Sequence, residues 1–176
     1  MVTKPNPHPL VNGESMQVAV SQEKNQKLVK AMSWILIFVS VIVLLKSIFF
    51  SHGYSAMITM QGITKNFDPP IGINFSLYFI QNAVELLLCV VVYVSTVYVL
   101  NFNNKWRQVL VYSLIASIIF LLVSPIITYY NIHSIITGFL KTSRLIWSYV
   151  WSIILSAFFI FVILKLSKEE VRLLFK

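Results

Sequence analysis

Four apolar runs, none shorter than twenty residues, dominate this chain: 31–50, 73–100, 106–130 and 145–166. A helix rises 1.5 Å per residue, so about 20 residues cross the ~30 Å hydrocarbon core of a bilayer. Lipid offers no partner for backbone N–H and C=O groups, which leaves only helices and closed barrels as spanning structures. A barrel strand alternates apolar and polar residues over about ten positions, whereas these runs are apolar on every face apart from narrow polar stripes. The sequence therefore predicts an all-α integral membrane protein with four transmembrane helices in an antiparallel bundle.

Composition points the same way. Of 176 residues 57% are hydrophobic and only 11% charged, and the mean hydropathy is +0.79, values outside the range of soluble globular domains. The formal charge of +8 could suggest nucleic acid, yet the basic residues stand at the ends of the apolar runs and form no aromatic-interleaved patch. They are read as topology signals, and no nucleic-acid partner is expected. The single cysteine, Cys89, lies inside a run and excludes a disulfide framework.

Orientation follows from the Lys and Arg residues flanking the runs. Lys4, Lys24, Lys27, Lys30, Lys105, Arg107, Lys165, Lys168, Arg172 and Lys176 fall on one side; Lys65, Lys141 and Arg144 fall on the other. This bias of ten to three, with Lys46 uncounted inside a run, predicts both termini on the cytoplasmic side of a cell membrane, plasma or bacterial inner. Trp34 and Trp106 then stand at the inner interface, and Tyr129, Tyr130, Trp147 and Trp151 at or near the outer one.

Outside the runs, residues 1–20 read as a disordered cytoplasmic tail because prolines and polar residues crowd its first half. Residues 21–176 read as one four-helix domain. Ser21 is the expected N-cap of the first helix, with Lys24, Lys27 and Lys30 along one face. Residues 51–72 form the expected outer loop, in which Tyr54–Ile63 could lie on the membrane as a short amphipathic helix ahead of an Asp68-Pro69-Pro70 turn. The basic tail 167–176 is expected as a positive flank, or as a continuation of the last helix along the inner leaflet. Lys24, Lys27, Lys30, Lys165, Lys168 and Arg172 are the expected contacts to anionic lipid headgroups.

Lipid gives no hydrophobic drive for helices to associate, so small residues and hydrogen bonds must do it. Serine stripes supply them: Ser33, Ser40 and Ser47 on the first helix; Ser113, Ser117, Ser124 and Thr128 on the third; Ser148, Ser152 and Ser156 on the fourth. These three stripes are expected to face one another. The second helix carries the most polar line, Tyr78, Gln81, Asn82, Glu85, Cys89 and Thr96 on one face. Glu85 stands near mid-span, where an ionised group costs ~2.5–3.5 kcal/mol on insertion scales, so it needs an inward face and either a proton or a cationic partner. Lys46, on the neighbouring first helix, is the obvious partner, although a depth count places it about 6 Å from the outer boundary and Glu85 about 18 Å.

Two functional readings follow. Gln81, Asn82, Glu85 and Lys46 could handle protons or cations as a transporter or channel subunit, since a carboxyl withdrawn from water can load and release a proton. The favoured reading makes them interhelical ties in a non-catalytic accessory, assembly or regulatory component of a membrane complex, with a membrane-protein partner or a second copy. Pro125 is expected to kink the third helix by freeing the Leu121 carbonyl. His52 and His133 sit outside the span ends as solvated residues, not haem or metal ligands. No nucleophile-base motif, phosphate loop or metal motif occurs, and of six acidic residues only Glu85 lies within a span. No enzyme activity, cofactor or metal is expected.

Overall fold

The computed structural model describes residues 11–64, 75–132 and 139–175. Among them every regular element is a helix: α1 Val11–Thr64, α2 Phe75–Leu100, α3 Asn104–Ile132, α4 Phe139–Ser167 and the single-turn α5 Glu169–Arg172. Four contain segments long and apolar enough to cross a membrane, Ala19–Phe49, Phe79–Leu100, Asn104–Tyr129 and Leu145–Ser167.

The surface is apolar in the manner of a chain solvated by lipid. Trp34, Phe38, Phe49, Leu87, Tyr112, Ile119, Trp147 and Leu164 all point outward, more exposed apolar area than a soluble monomer tolerates. Many of the buried positions are small and polar. Ser33, Ser40 and Ser47 of α1, Ser95 and Thr96 of α2, Ser113 and Ser117 of α3, and Ser152 and Ser156 of α4 are all inside, where a short side chain lets backbones approach closely.

Packing follows chain order: α1 lies against α2, α2 against α3, and α3 against α4, while α5 touches α1 and α4. The main contact of α1 is therefore with α2, where Ser40 O of its serine stripe accepts from Cys89 Sγ, while the stripes of α3 and α4 lie on two helices that pack together. The reason is connectivity, since consecutive helices joined by short links pack as neighbours. Two serines of the α3 stripe bond within their own helix. Ser113 Oγ donates to Leu110 O at 2.9 Å and Ser117 Oγ to Ser113 O at 2.8 Å, satisfying each hydroxyl on its own helix. Ser113 and Ser117 serve close approach, not cross-helix hydrogen bonding.

A tight apolar core forms at one end, where Val29, Met32 and Leu36 of α1 meet Val92 and Val99 of α2, Leu110 and Leu114 of α3, and Phe159, Val162 and Leu166 of α4. The α2–α3 turn closes this end. Asn103 caps α3, its Oδ1 accepting from the N–H groups of Lys105 (3.1 Å) and Trp106 (3.4 Å), as the orphan amides of a first turn require. Phe102 takes φ +54°, a left-handed conformation costing a non-glycine residue about 1–2 kcal/mol; its ring lies 5.6 Å from that of Phe175. Tyr98 and Trp106 stack across the turn at 4.5 Å.

Three boundaries differ from the sequence reading. Helix α1 starts at Val11, so residues 11–20 are helical and Ser21 is an interior residue, not an N-cap; residues 1–10 lie outside the described residues. Helix α1 also continues to Thr64, so the first fourteen residues of the expected outer loop, Tyr54–Ile63 included, extend the same rod, and the Asp68-Pro69-Pro70 turn lies outside the described residues. Apolar and helix-tolerant residues between Ser51 and Thr64 outweigh Gly53 and Gly62, each worth about 1 kcal/mol against a helix. Finally, the tail does not continue α4: Lys168 is extended (φ −62°, ψ 138°), and α5 turns back to bury Val171 and Phe175 in the core. Burial of a valine and a phenylalanine favours the turn over a helix projecting outward.

Candidate functional site

Polar side chains gather at the opposite end from the apolar core, on the line carried by α2. Because α1 continues to Thr64, about 27 Å of helix beyond Lys46, Lys46 is not at a helix end, and the difference in depth counted from the sequence does not keep its side chain from Glu85. Lys46 Nζ donates to Glu85 Oε1 at 2.9 Å. The lysine side chain is 52% exposed and the glutamate 20%, so the pair lies on the flank of the α1–α2 contact, not in the bundle interior.

One turn from Glu85, Gln81 crosses to α3. Its Nε2 donates to Ser124 Oγ at 2.6 Å and to Thr128 Oγ1 at 3.0 Å. Ser124 and Thr128 bracket Pro125, which is buried and supplies no N–H to the α3 ladder. Thr128 Oγ1 donates back to Ser124 O at 3.0 Å, so Gln81, Ser124 and Thr128 form one linked set of hydrogen bonds beside the proline. Asn82 is half-buried beside Gln81 and takes no part in either tie. Further along, Cys89 Sγ donates to Ser40 O at 3.1 Å, a second link between α1 and α2.

The structure thus brings Lys46 to Glu85 and Gln81 to α3, but does not gather Gln81, Asn82, Glu85 and Lys46 around one point. The ammonium and carboxylate neutralise each other, and Gln81 uses both amide hydrogens on α3. Among the described residues no group of three or more His, Cys, Asp or Glu could hold a metal ion; the side chain of His52 and all of His133 lie outside the described residues.

The α3–α4 serines Ser113, Ser117, Ser152 and Ser156 are buried and Ser148 half-buried, and the hydroxyls of Ser156 and of Ser47 on α1 have no hydrogen-bond partner among the described residues. Of the expected headgroup contacts, Lys24, Lys27, Lys30, Lys168 and Arg172 are exposed. Lys27 also pairs with Glu23 at 2.7 Å, and Lys165 holds its ammonium 5.5 Å from the Phe161 ring centre.

Sequence reasoning counted Arg107 only as a flanking charge. It is 7% exposed: Nε donates to Asn104 Oδ1 at 3.0 Å, Nη1 donates to Leu166 O at 2.9 Å, and Cζ lies 5.7 Å from the Phe175 ring centre. A guanidinium suits this place because it completes the last carbonyls of α4 and stacks on an aromatic face at once. The signal in the sequence was an arginine just inside a helix that Asn103 opens; its partner Leu166 is fifty-nine residues away, beyond local pattern. In comparison with known family models, curated proteins and solved structures, the chain matches none of them.

Proposed function

We propose that this chain is an integral membrane protein of the cell membrane, its four long helices crossing the bilayer antiparallel with both termini on the cytoplasmic side. In this reading it is a non-catalytic accessory, assembly or regulatory component that works through helix packing and through basic residues set against anionic headgroups. One observation carries it: the polar groups of α2 are spent on neighbouring helices, Glu85 on Lys46 and Gln81 on Ser124 and Thr128. Interhelical polar contacts of this kind are worth about 0.6–2 kcal/mol each, a contribution to fold and assembly that needs no substrate.

The test compares two kinds of variant in cells. Glu85→Gln keeps a hydrogen-bonding group and should at most weaken the native complex, whereas leucine or phenylalanine at Ser152 or Ser156 should break assembly, read as loss of the native complex on a native gel. The opposite pattern defeats the proposal.

A second reading makes the chain a proton- or cation-handling transporter or channel subunit. It draws on the membrane-depth carboxylate, the half-buried Asn82 and the Pro125 break in α3. Its signature is pH- or cation-driven flux in proteoliposomes that Glu85→Gln abolishes; silence across a broad ion panel rejects it.

A further inference from the structure

The Lys46–Glu85 pair is satisfied within the chain, yet half of the lysine side chain faces outward. Around it the surface is apolar. On α1, Ile35, Val39, Ile42, Lys46 and Phe49 recur at alternating spacings of four and three, the period of a seam that packs against another helix. Ile35, Ile42 and Phe49 are about half or more exposed. Along its spanning part α1 packs on α2, and this seam is on its open flank. A charged pair set in an apolar seam is poorly solvated by lipid, and a polar residue at one seam position is the device by which packed helices fix register and partner.

The geometry points to this seam as the interface with a second copy of the chain, an inference that rests on the membrane reading above. Charge complementarity selects the occupant. The patch carries one cation on α1 and one anion on the adjacent α2, and a two-fold axis along the membrane normal sets α1 of each copy opposite α2 of the other. Lys46 then faces the partner's Glu85 and Glu85 the partner's Lys46, so four charges alternate in sign in a closed ring. The apolar residues above and below exclude lipid from it.

The experiment uses the full chain carrying two different tags on two copies made in the same cells, extracted from membranes in mild detergent and captured by one tag. Wild-type copies should recover each other. Lys46→Glu in both copies, or Glu85→Lys in both, sets like charges together and should lower recovery about tenfold, the loss expected for a polar interhelical contact worth about 1.4 kcal/mol. A Lys46→Glu copy with a Glu85→Lys copy brings opposite charges and should recover wild-type pairing. Ile42→Trp keeps the charges but thickens the seam, so it should weaken pairing while helical circular dichroism stays unchanged, which covers the case of a reversed charge that prevents folding. Absence of wild-type pairing, capture of a different protein in place of the second copy, or undiminished, wild-type recovery for both single reversals overturns the interface. Appearance of the chain in a detergent-free supernatant defeats the membrane reading instead.

Discussion

Gln81 illustrates how one residue can serve a helix it does not belong to. Its amide donates to the hydroxyls on both sides of Pro125, tying α2 to α3 beside the proline. Gln81→Leu keeps the volume and removes both donors, so the protein in detergent should lose about 1 kcal/mol, read as a lower midpoint in denaturation by sodium dodecyl sulfate. Arg107 makes the complementary case. Arg107→Lys keeps the charge but cannot reach Asn104, Leu166 and the Phe175 face together, and a loss of about 1–3 kcal/mol is expected because hydrogen bonds from charged groups carry that weight. An unchanged midpoint for the lysine variant would mean that charge alone matters there.

Among the elements, α5 is the least expected. Four residues long, it cannot be stable alone; its place comes from Val171 and Phe175, both buried in the core, and from the ring contacts of Phe175 with Phe102 and Arg107. Phe175→Ala should cost about 3 kcal/mol if the cavity stays open, and should free the tail from Lys168 onward. Faster hydrogen exchange confined to 168–175 and to the α2–α3 turn checks this, whereas a uniform change across all helices would contradict it. Phe102 belongs to the same contact, so Phe102→Gly relieves the left-handed strain but removes the ring. Its net effect should be smaller than that of Phe175→Ala.

At the scale of the molecule the two ends have different chemistry. The Arg107 end is closed by large apolar side chains from α1 to α5, and the Lys46 end is held by a few polar ties between pairs of helices. The Arg107 end should therefore be the last to open on heating, with amides of α1 near Leu36 and α3 near Leu114 protected longest in hydrogen exchange. If the termini share the cytoplasmic side, the variants Ser21→Cys and Ser167→Cys should resist a membrane-impermeant thiol reagent added to intact cells, and Thr142→Cys should react. Labelling of the two tail positions from opposite faces would refute the four-crossing topology.

By itself the sequence determined that four helices form and roughly where, because twenty consecutive apolar residues leave the backbone one way to satisfy its own amides in lipid. It also narrowed the polar groups to Gln81, Asn82, Glu85 and Lys46, since polarity inside such runs is rare enough to be conspicuous. Only the tertiary structure decided which helix faces which: the serine stripes are legible as stripes, but a small residue carries no address, and chain order set α1 chiefly against α2. The length of α1 past Ser51, the fold-back of Phe175 and the burial of Arg107 against Leu166 were equally beyond the sequence. Each depends on contacts between residues far apart in the chain, whose free energy no local period encodes.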